Sequence, residues 1–306
     1  MVGHVSQVRE IGDFFTFEVA GEPLLIIRGE DEQIRAFYNI CPHRGALVER
    51  SEEGNKKIFQ CIYHGWTFQP DGKVHRAPNF KGAQLGNHHC LAPVRLEVHH
   101  SLIFVNLDNN APSMQETHQD FLNNFGQYTF LDSLKKVRER KRVIQANWKA
   151  VIDNYLECDH CPVAHPGFSK TFDLSNYTFE LRDNYSYQYA KLRNGQEKKD
   201  AARFFWVWPN LMISVYPGTN NITTSQIVPL DEKSSLAVYR YYFVNEDLSP
   251  EDEELIKFVD QVREEDFVLV ELLQKGLPSK AYGRGIYSPT ERALHHFHEI
   301  YQKNME

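Results

Sequence analysis

No stretch of this 306-residue chain approaches the roughly 18–20 consecutive apolar residues that span a bilayer. The start, Met1-Val2-Gly3-His4, lacks the basic end and apolar core of a secretory signal, so a cytoplasmic protein is expected. A basic patch is missing too. Net charge is −7 and the lysines and arginines are scattered, which argues against a nucleic-acid binder. Tyr185, Tyr187 and Tyr189 alternate like one face of a strand and do not form a base-stacking platform. Cysteine is scarce, five residues in all. In a reducing compartment that number argues against a disulfide framework, so cysteine spacing is read for metal chemistry. Internal repeats and low-complexity tracts are also absent. What remains is an ordinary globular composition, long enough for two domains.

Residues 1–108 read as β structure. The runs around Phe14-Phe15-Thr16, over 24–27 and over 34–38 are short and rich in branched and aromatic residues. Ala20-Gly21-Glu22-Pro23 and Arg28-Gly29-Glu30-Asp31 punctuate them, and Asp71-Gly72 is a tight-turn signal. Residues 102–105 close the region as a further strand, and the polar stretch 107–113 reads as a linker. Residues 109–306 are mixed. The pattern predicts a helix over about 147–158, several strands between 177 and 244, and a long helix from Ser249 to about Lys275. Ser249 would cap that helix, Pro250 would take its first position and Gly276 would stop it.

Cys41-Pro42-His43 and Cys61-Ile62-Tyr63-His64 make the pattern C-x-H…C-x-x-H. Two thiolates and two imidazoles suit either zinc or a Rieske [2Fe–2S] cluster, in which two histidines replace cysteines on one iron. Each Cys/His pair falls between predicted strands and runs into turn material, Arg44-Gly45 or Gly65-Trp66. Zinc fingers set their histidine pair on one helix, and nothing helical is predicted here. The cluster is the favoured reading and zinc its rival.

A cluster domain alone would make an electron carrier, so the remainder decides. Residues 147–166 are dense in ligand-type side chains. Trp148, Val151, Ile152 and Tyr155 follow helical spacing and predict a packed face. His160 and His165 would lie about 140° apart on an ideal helix, so a break near Pro162 is expected to turn both toward one point. Two histidines and a carboxylate make the facial triad of an O2-activating ferrous site. The long helix carries an apolar stripe at Leu255, Val259, Val262, Leu269 and Leu273, and Asp266 falls on it. A carboxylate on a buried face is costly unless paired or metal-bound. Asp266 is therefore the candidate third ligand, with Asp260 its rival, whereas Glu264 and Glu265 read as solvated. Cys158-x-x-Cys161 lacks a second pair and is a weak signal for redox or zinc chemistry. His88, His89, His99, His100, His295, His296 and His298 read as ordinary polar groups.

The segments Cys41-Pro42-His43-Arg44-Gly45 and Cys61-Ile62-Tyr63-His64-Gly65-Trp66 resemble the two cluster-binding boxes of Rieske non-haem iron oxygenases, and the whole chain resembles their α-subunits. Within that family, Asn147-Trp148-Lys149, residues 153–158, His160-Cys161, Ala164-His165-Pro166-Gly167-Phe168, residues 205–209, residues 265–271 and Gln274-Lys275-Gly276-Leu277 are similar to the quaternary-ammonium branch, the carnitine, choline and glycine-betaine monooxygenases. The resemblance implies an α+β protein, with an all-β Rieske domain over 1–108 and a helix-grip catalytic domain, antiparallel sheet with helices, over 109–306. It implies one iron on Cys41 and Cys61, the second on His43 and His64, and a mononuclear Fe(II) on His160, His165 and Asp266. It also implies a homotrimer in which the cluster of one subunit feeds the mononuclear iron of its neighbour across a bridging carboxylate. Alignment gives that bridge to Glu157, with Asp153 the alternative, and puts Asn154 near the iron in support. Members of the branch carry a further segment ahead of the stretch matching Val2-Gly3-His4-Val5. Either the start is misplaced here or the segment is lost, and its loss would bear on packing and assembly and on no ligand.

The implied activity uses O2 and NAD(P)H electrons, delivered by a separate reductase with flavin and a [2Fe–2S] centre, to hydroxylate a C–H bond. An N-alkyl or quaternary ammonium substrate is expected, and hydroxylation beside its nitrogen ends in C–N cleavage. An aromatic cage would hold such a cation, with Tyr155, Phe204, Phe205, Trp206 and Trp208 as candidates, although aromatics at strand spacing are more often core. Hydroxylation of an aromatic ring, by mono- or dioxygenation, is the alternative reading. A non-catalytic Rieske carrier is a further one.

Overall fold

Leu24, Leu25, Ile26 and Ile27 are all fully buried, which a strand achieves only when both of its faces are covered. In the computed structural model of the chain, which describes residues 1–80, 85–195 and 201–305, they lie on Glu22–Arg28, an inner strand of a seven-stranded antiparallel sheet. Side chains alternate across it. Leu24 and Ile26 join Val2, Phe15, Ala36 and Ile103 on one face. Leu25 and Ile27 join Phe14, Phe37, Cys41, Cys61 and Trp66 on the other, so the second face carries the cysteine loops. Beside it stands a small sheet of Phe59–Gln60, Thr67–Phe68 and Val74–Arg76.

The chain divides into two units, Met1–Asp132 and Ser133–Glu306. The break therefore falls after the expected residue 108. The physical reason is a set of ties that hold 109–132 to the first unit. Arg95 N donates to Asn109 Oδ1 (2.9 Å), Met114 N to Glu97 Oε1 (3.1 Å), His100 Nε2 to Leu122 O (3.0 Å) and Ser101 Oγ to Asp132 Oδ1 (2.9 Å). The short helices Met114–Thr117 and Gln119–Phe125 sit in this stretch, and the latter buries Phe121, Leu122 and Phe125.

The second unit is built on another seven-stranded antiparallel sheet, in the order Lys135–Ile144, Ser235–Phe243, Asn221–Pro229, Leu211–Val215, Ala201–Val207, Tyr185–Lys191 and Thr178–Leu181. Its core gathers Ile152, Phe168, Phe204, Trp206 and Tyr241 with Ile256, Val259, Phe267 and Val270 of the long helix. That helix runs Pro250–Gly276 with Ser249 as its N-cap in a capping box with Asp252, close to the expected bounds. Its buried stripe, however, is Asp252, Ile256, Val259, Phe267 and Val270. Leu273, taken from the spacing as core, is 43% exposed. The helix is rotated so that Phe267, not Leu269, meets the sheet. Arg292–Met305 closes the unit, burying Ala293, Leu294, Phe297 and Ile300. Among the described residues no helix is long and apolar enough to cross a membrane.

Candidate active site

Two loops of the first unit share one backbone pattern. Cys41 N donates to Ala46 O (2.8 Å) and Gly45 N to Cys41 O (2.9 Å); Cys61 N donates to Trp66 O (2.8 Å) and Gly65 N to Cys61 O (3.0 Å). Each turn needs a residue at positive φ, supplied by Gly45 (+76°) and Gly65 (+70°). The repeat brings the two Cys/His pairs face to face. Cys41 and Cys61 are both buried, and the His43 and His64 rings stand 4.5 Å apart between centroids. His43 stacks on Trp66, and its Nδ1 is buried without a hydrogen-bond partner. Burial, together with the Cys61 sulfur, pushes the Cys41 thiol up to about 11. A thiolate there therefore depends on a bound cation. Two buried sulfurs and an orphaned imidazole nitrogen fit a [2Fe–2S] cluster. Ile62 and Tyr63 between them are exposed, 66% and 57%, so the histidine edge of the site faces outward.

In the second unit the first helix spans Trp148–Tyr155, with Asn147 as its N-cap. The backbone leaves helix at Leu156, before His160, and not at Pro162 as the sequence suggested. Pro162 instead opens the short helix Cys161–Ala164, where its missing N–H costs nothing. The reversal is held by Glu157, whose carboxylate accepts from Asp159 N (2.5 Å) and His160 N (3.3 Å). Cys158 and Cys161 are joined as a disulfide, against the expectation of reduced cysteines. The same reversal brings their Cα atoms to 4.9 Å, within the span of such a bond.

Across this turn His160 Nε2 and His165 Nε2 come to 3.0 Å. Asp266 Oδ1, from the long helix, stands 3.0 Å from His165 Nε2 and 3.3 Å from His160 Nε2. Cis ligands about 2.1 Å from a six-coordinate ion are separated by about 3 Å, so the triangle has the size of a facial metal site. The outer nitrogens are also engaged. His160 Nδ1 meets Glu157, and His165 Nδ1 lies 2.8 Å from Glu265 Oε2. With Nδ1–H donated outward, each Nε2 turns a lone pair inward to face the carboxylate. Three acceptors around one point call for a cation. In the protein alone a proton serves: burial pulls the His160 pKa down, but the Asp266 and Glu157 carboxylates outweigh it and lift it to about 9. Burial likewise works to raise the Asp266 pKa, and the two imidazoles overcome it, leaving the carboxyl below its ordinary value. Cys161 Sγ is 4.0 Å from His160 Nε2, but as half of a disulfide it offers no thiolate.

The rivals fall elsewhere. Asp260 pairs with Arg140 (2.8 Å) and accepts from Tyr241 OH. Asp153 accepts from His298 Nε2 (2.9 Å), away from the imidazole pair. Glu265 was expected in solvent; its contact with His165 corrects that reading. It had no sequence signal, because one residue's offset on a helix is 100° and only the turn at 165 brings the imidazole round to it.

A cavity opens on this triangle, and Asn154, Tyr155 and Phe204 line it. Phe205, Trp206 and Trp208, also proposed from the sequence, do not. Phe205 points to the opposite sheet face and packs on Tyr187. Trp206 lies under the last helix against Phe297, where Trp208 joins it. The sequence reading missed Phe168, Tyr177, Tyr216, Tyr239 and Arg263, which complete the walls. Only Arg263 left a trace in the sequence, as a charge within the apolar spacing of Val259, Phe267 and Val270.

Both units resemble known proteins. Residues 1–92 match the model of the Rieske [2Fe-2S] domain, and residues 131–200 and 179–306 match the ring hydroxylating alpha subunit catalytic domain. The chain is 36% identical over 326 residues to the carnitine monooxygenase oxygenase subunit of Escherichia coli K12, covering 98% of this chain and 85% of that one. It is 30% identical over 333 residues to chloroplastic choline monooxygenase of Arabidopsis thaliana, covering 100% and 76%. Among solved structures it is similar to the quaternary ammonium Rieske monooxygenase CntA in complex with L-carnitine, with a TM-score of 0.90, 33% identity and coverage of 100% and 88%.

Proposed function

The chain belongs to the α-subunits of Rieske non-haem iron oxygenases, and from that premise we propose that it oxidises an N-alkyl or quaternary ammonium substrate at a carbon next to nitrogen. As the oxygenase component of such a system it carries a Rieske [2Fe–2S] domain. In our reading Cys41, His43, Cys61 and His64 hold the cluster, and His160, His165 and Asp266 hold a mononuclear Fe(II). When bound, these groups supply the electrons and O2 activation that place a hydroxyl on an unreactive C–H bond. The observation that carries the proposal is the 3.0–3.3 Å triangle of two imidazole nitrogens and one carboxylate oxygen at the mouth of an aromatic cavity.

The protein's own groups have four tasks. His160, His165 and Asp266 occupy one face of the site and leave the other for O2 and substrate. Glu157 and Glu265 hold the imidazoles in the tautomer that points Nε2 inward. Glu157, 11% exposed beside His160, is in our reading the carboxylate that would carry electrons from the cluster of a neighbouring subunit to this iron in a homotrimer. Phe168, Tyr155, Phe204 and Tyr216 offer π faces to a cationic nitrogen and exclude water from it. A carbinol formed beside nitrogen then collapses to an aldehyde and a smaller amine. The electrons come from NAD(P)H through a separate flavin and [2Fe–2S] reductase. The E. coli and Arabidopsis relatives, by their names, act on carnitine and choline, which supports this substrate class over an aromatic ring.

The test is reconstitution with a reductase, NADH and a panel of quaternary amines and aromatic acids, scored for aldehyde release. Aldehyde from the amines is the expected result, and ring hydroxylation alone would overturn the substrate assignment. His160→Ala should keep the brown cluster and lose turnover. Retained turnover would sink the metal assignment.

A further inference from the structure

Arg263 lies on the long helix four residues from Val259 and four from Phe267, in the middle of the buried stripe. A cation in that position needs a reason. Its guanidinium lines the cavity, lying 4.5 Å over the Tyr239 ring and 5.1 Å over the Tyr241 ring. Its hydrogen bonds go to neutral oxygens: Nη1 donates to Tyr241 OH (2.7 Å), and Nη2 to Thr223 Oγ1 (3.2 Å) and Ser225 Oγ (3.0 Å). Of five N–H donors, those three are used, and among the described residues the other two have no protein partner. Every nearby carboxylate is spent elsewhere: Asp260 on Arg140, Glu264 on Arg142, Glu265 on His165, and Asp266 on the two imidazoles. A half-buried guanidinium with three neutral acceptors and no counter-charge is an unfinished ion pair.

We propose that Arg263 is the counter-ion for a carboxylate on the substrate, so that the cavity takes a zwitterion. The cationic nitrogen sits among the aromatic rings near the imidazoles, and the acid lies against the guanidinium and the Ser225 hydroxyl, both on the cavity wall. The assignment rests on the reading of this cavity as the substrate site and specifies its ligand more narrowly. The planar fork of arginine is matched to the two oxygens of a carboxylate. A simple cation placed here would meet a like charge with nothing to offset it. A helix-to-sheet fastener is the competing role for Arg263, and it makes different predictions.

The experiment compares wild type with Arg263→Gln, which keeps a donor for the hydroxyls and removes the charge. L-carnitine, bearing a carboxylate, and choline, bearing a hydroxyl, are the paired substrates. The ratio of kcat/KM for L-carnitine to that for choline should fall about 10- to 100-fold, the range for losing a charged hydrogen-bonded pair, and mostly through KM. An unchanged ratio, whether both substrates suffer or neither does, overturns the proposal. A wild type that acts on neither compound overturns the amine reading of the previous section, and a second measurement then decides this one. Millimolar butyrate, but not 1-butanol, should raise the thermal midpoint of wild type and leave that of Arg263→Gln in place. Butyrate shifting both proteins, or neither, overturns it.

Discussion

Glu265→Gln isolates the part of the site that lies outside the ligand triangle. The Glu265 carboxylate is 2.8 Å from His165 Nδ1 through Oε2, and its Oε1 accepts from Gln261 Nε2 at 2.9 Å. The glutamine is nearly isosteric, so the imidazole keeps a hydrogen-bond acceptor but loses the charge behind it, which makes the bond roughly half as strong. Loss of such an outer partner costs about 10- to 100-fold in metal affinity, or about 1.4–2.7 kcal/mol. The carboxylate is 25% exposed, and solvent screening puts the expected loss at the lower end, about tenfold. The assay is a titration of ferrous iron against a chromogenic chelator, with cluster absorbance read in the same sample. The triangle should lose iron at about tenfold lower chelator while the cluster band holds. Wild-type iron retention would refute the argument that Glu265 sets the His165 lone pair. Joint loss of cluster and mononuclear iron would show that the substitution had disturbed the fold.

Three further outcomes are expected. Glu157→Gln should keep three irons per chain by metal analysis yet lower single-turnover electron transfer at least tenfold, since it changes a carboxylate at His160 without removing a ligand; full activity would end its assignment as the bridge. His4 is fully buried and burial depresses its pKa from 6.5 to about 4. The unfolded chain takes up that proton near 6.5 and the folded one only near 4, so stability is full above pH 6.5 and about 3 kcal/mol is lost as pH falls from 6.5 to 4, with no further loss below. A His4→Asn variant should flatten that part of the urea-unfolding profile, and an equally steep profile would contradict the burial argument. Trp206→Ala should destabilise the second unit by about 3–5 kcal/mol, because it empties a fully buried site under Phe297. Unchanged stability together with altered substrate preference would return Trp206 to the cavity.

The site was legible to different depths. Both halves of the Cys/His pattern could be read because a loop that places two ligands must spell them close together, with a glycine to turn on. His160 and His165 stood out for the same reason, and Ser249-Pro250 marked its helix through local capping chemistry. Asp266 was found as a charge on an apolar face, although the stripe itself was misplaced by part of a turn. The periodicity of Leu255, Val259, Val262, Leu269 and Leu273 describes what a helix can bury; the sheet it met kept Val259 and selected Ile256, Phe267 and Val270 beside it.

Local chemistry, then, marked out the candidate donors and roughly where chain elements begin, since ligand type, turn glycines and caps act over a few neighbours. Tertiary packing decided everything that depends on direction. It chose Glu265 over solvent for His165, put Tyr177, Tyr216 and Tyr239 on the cavity and Trp206 behind it, and set a guanidinium among hydroxyls with no acid beside it. Strand alternation and helix rotation determine those directions, and both are fixed only when the sheet and the long helix have been pressed together.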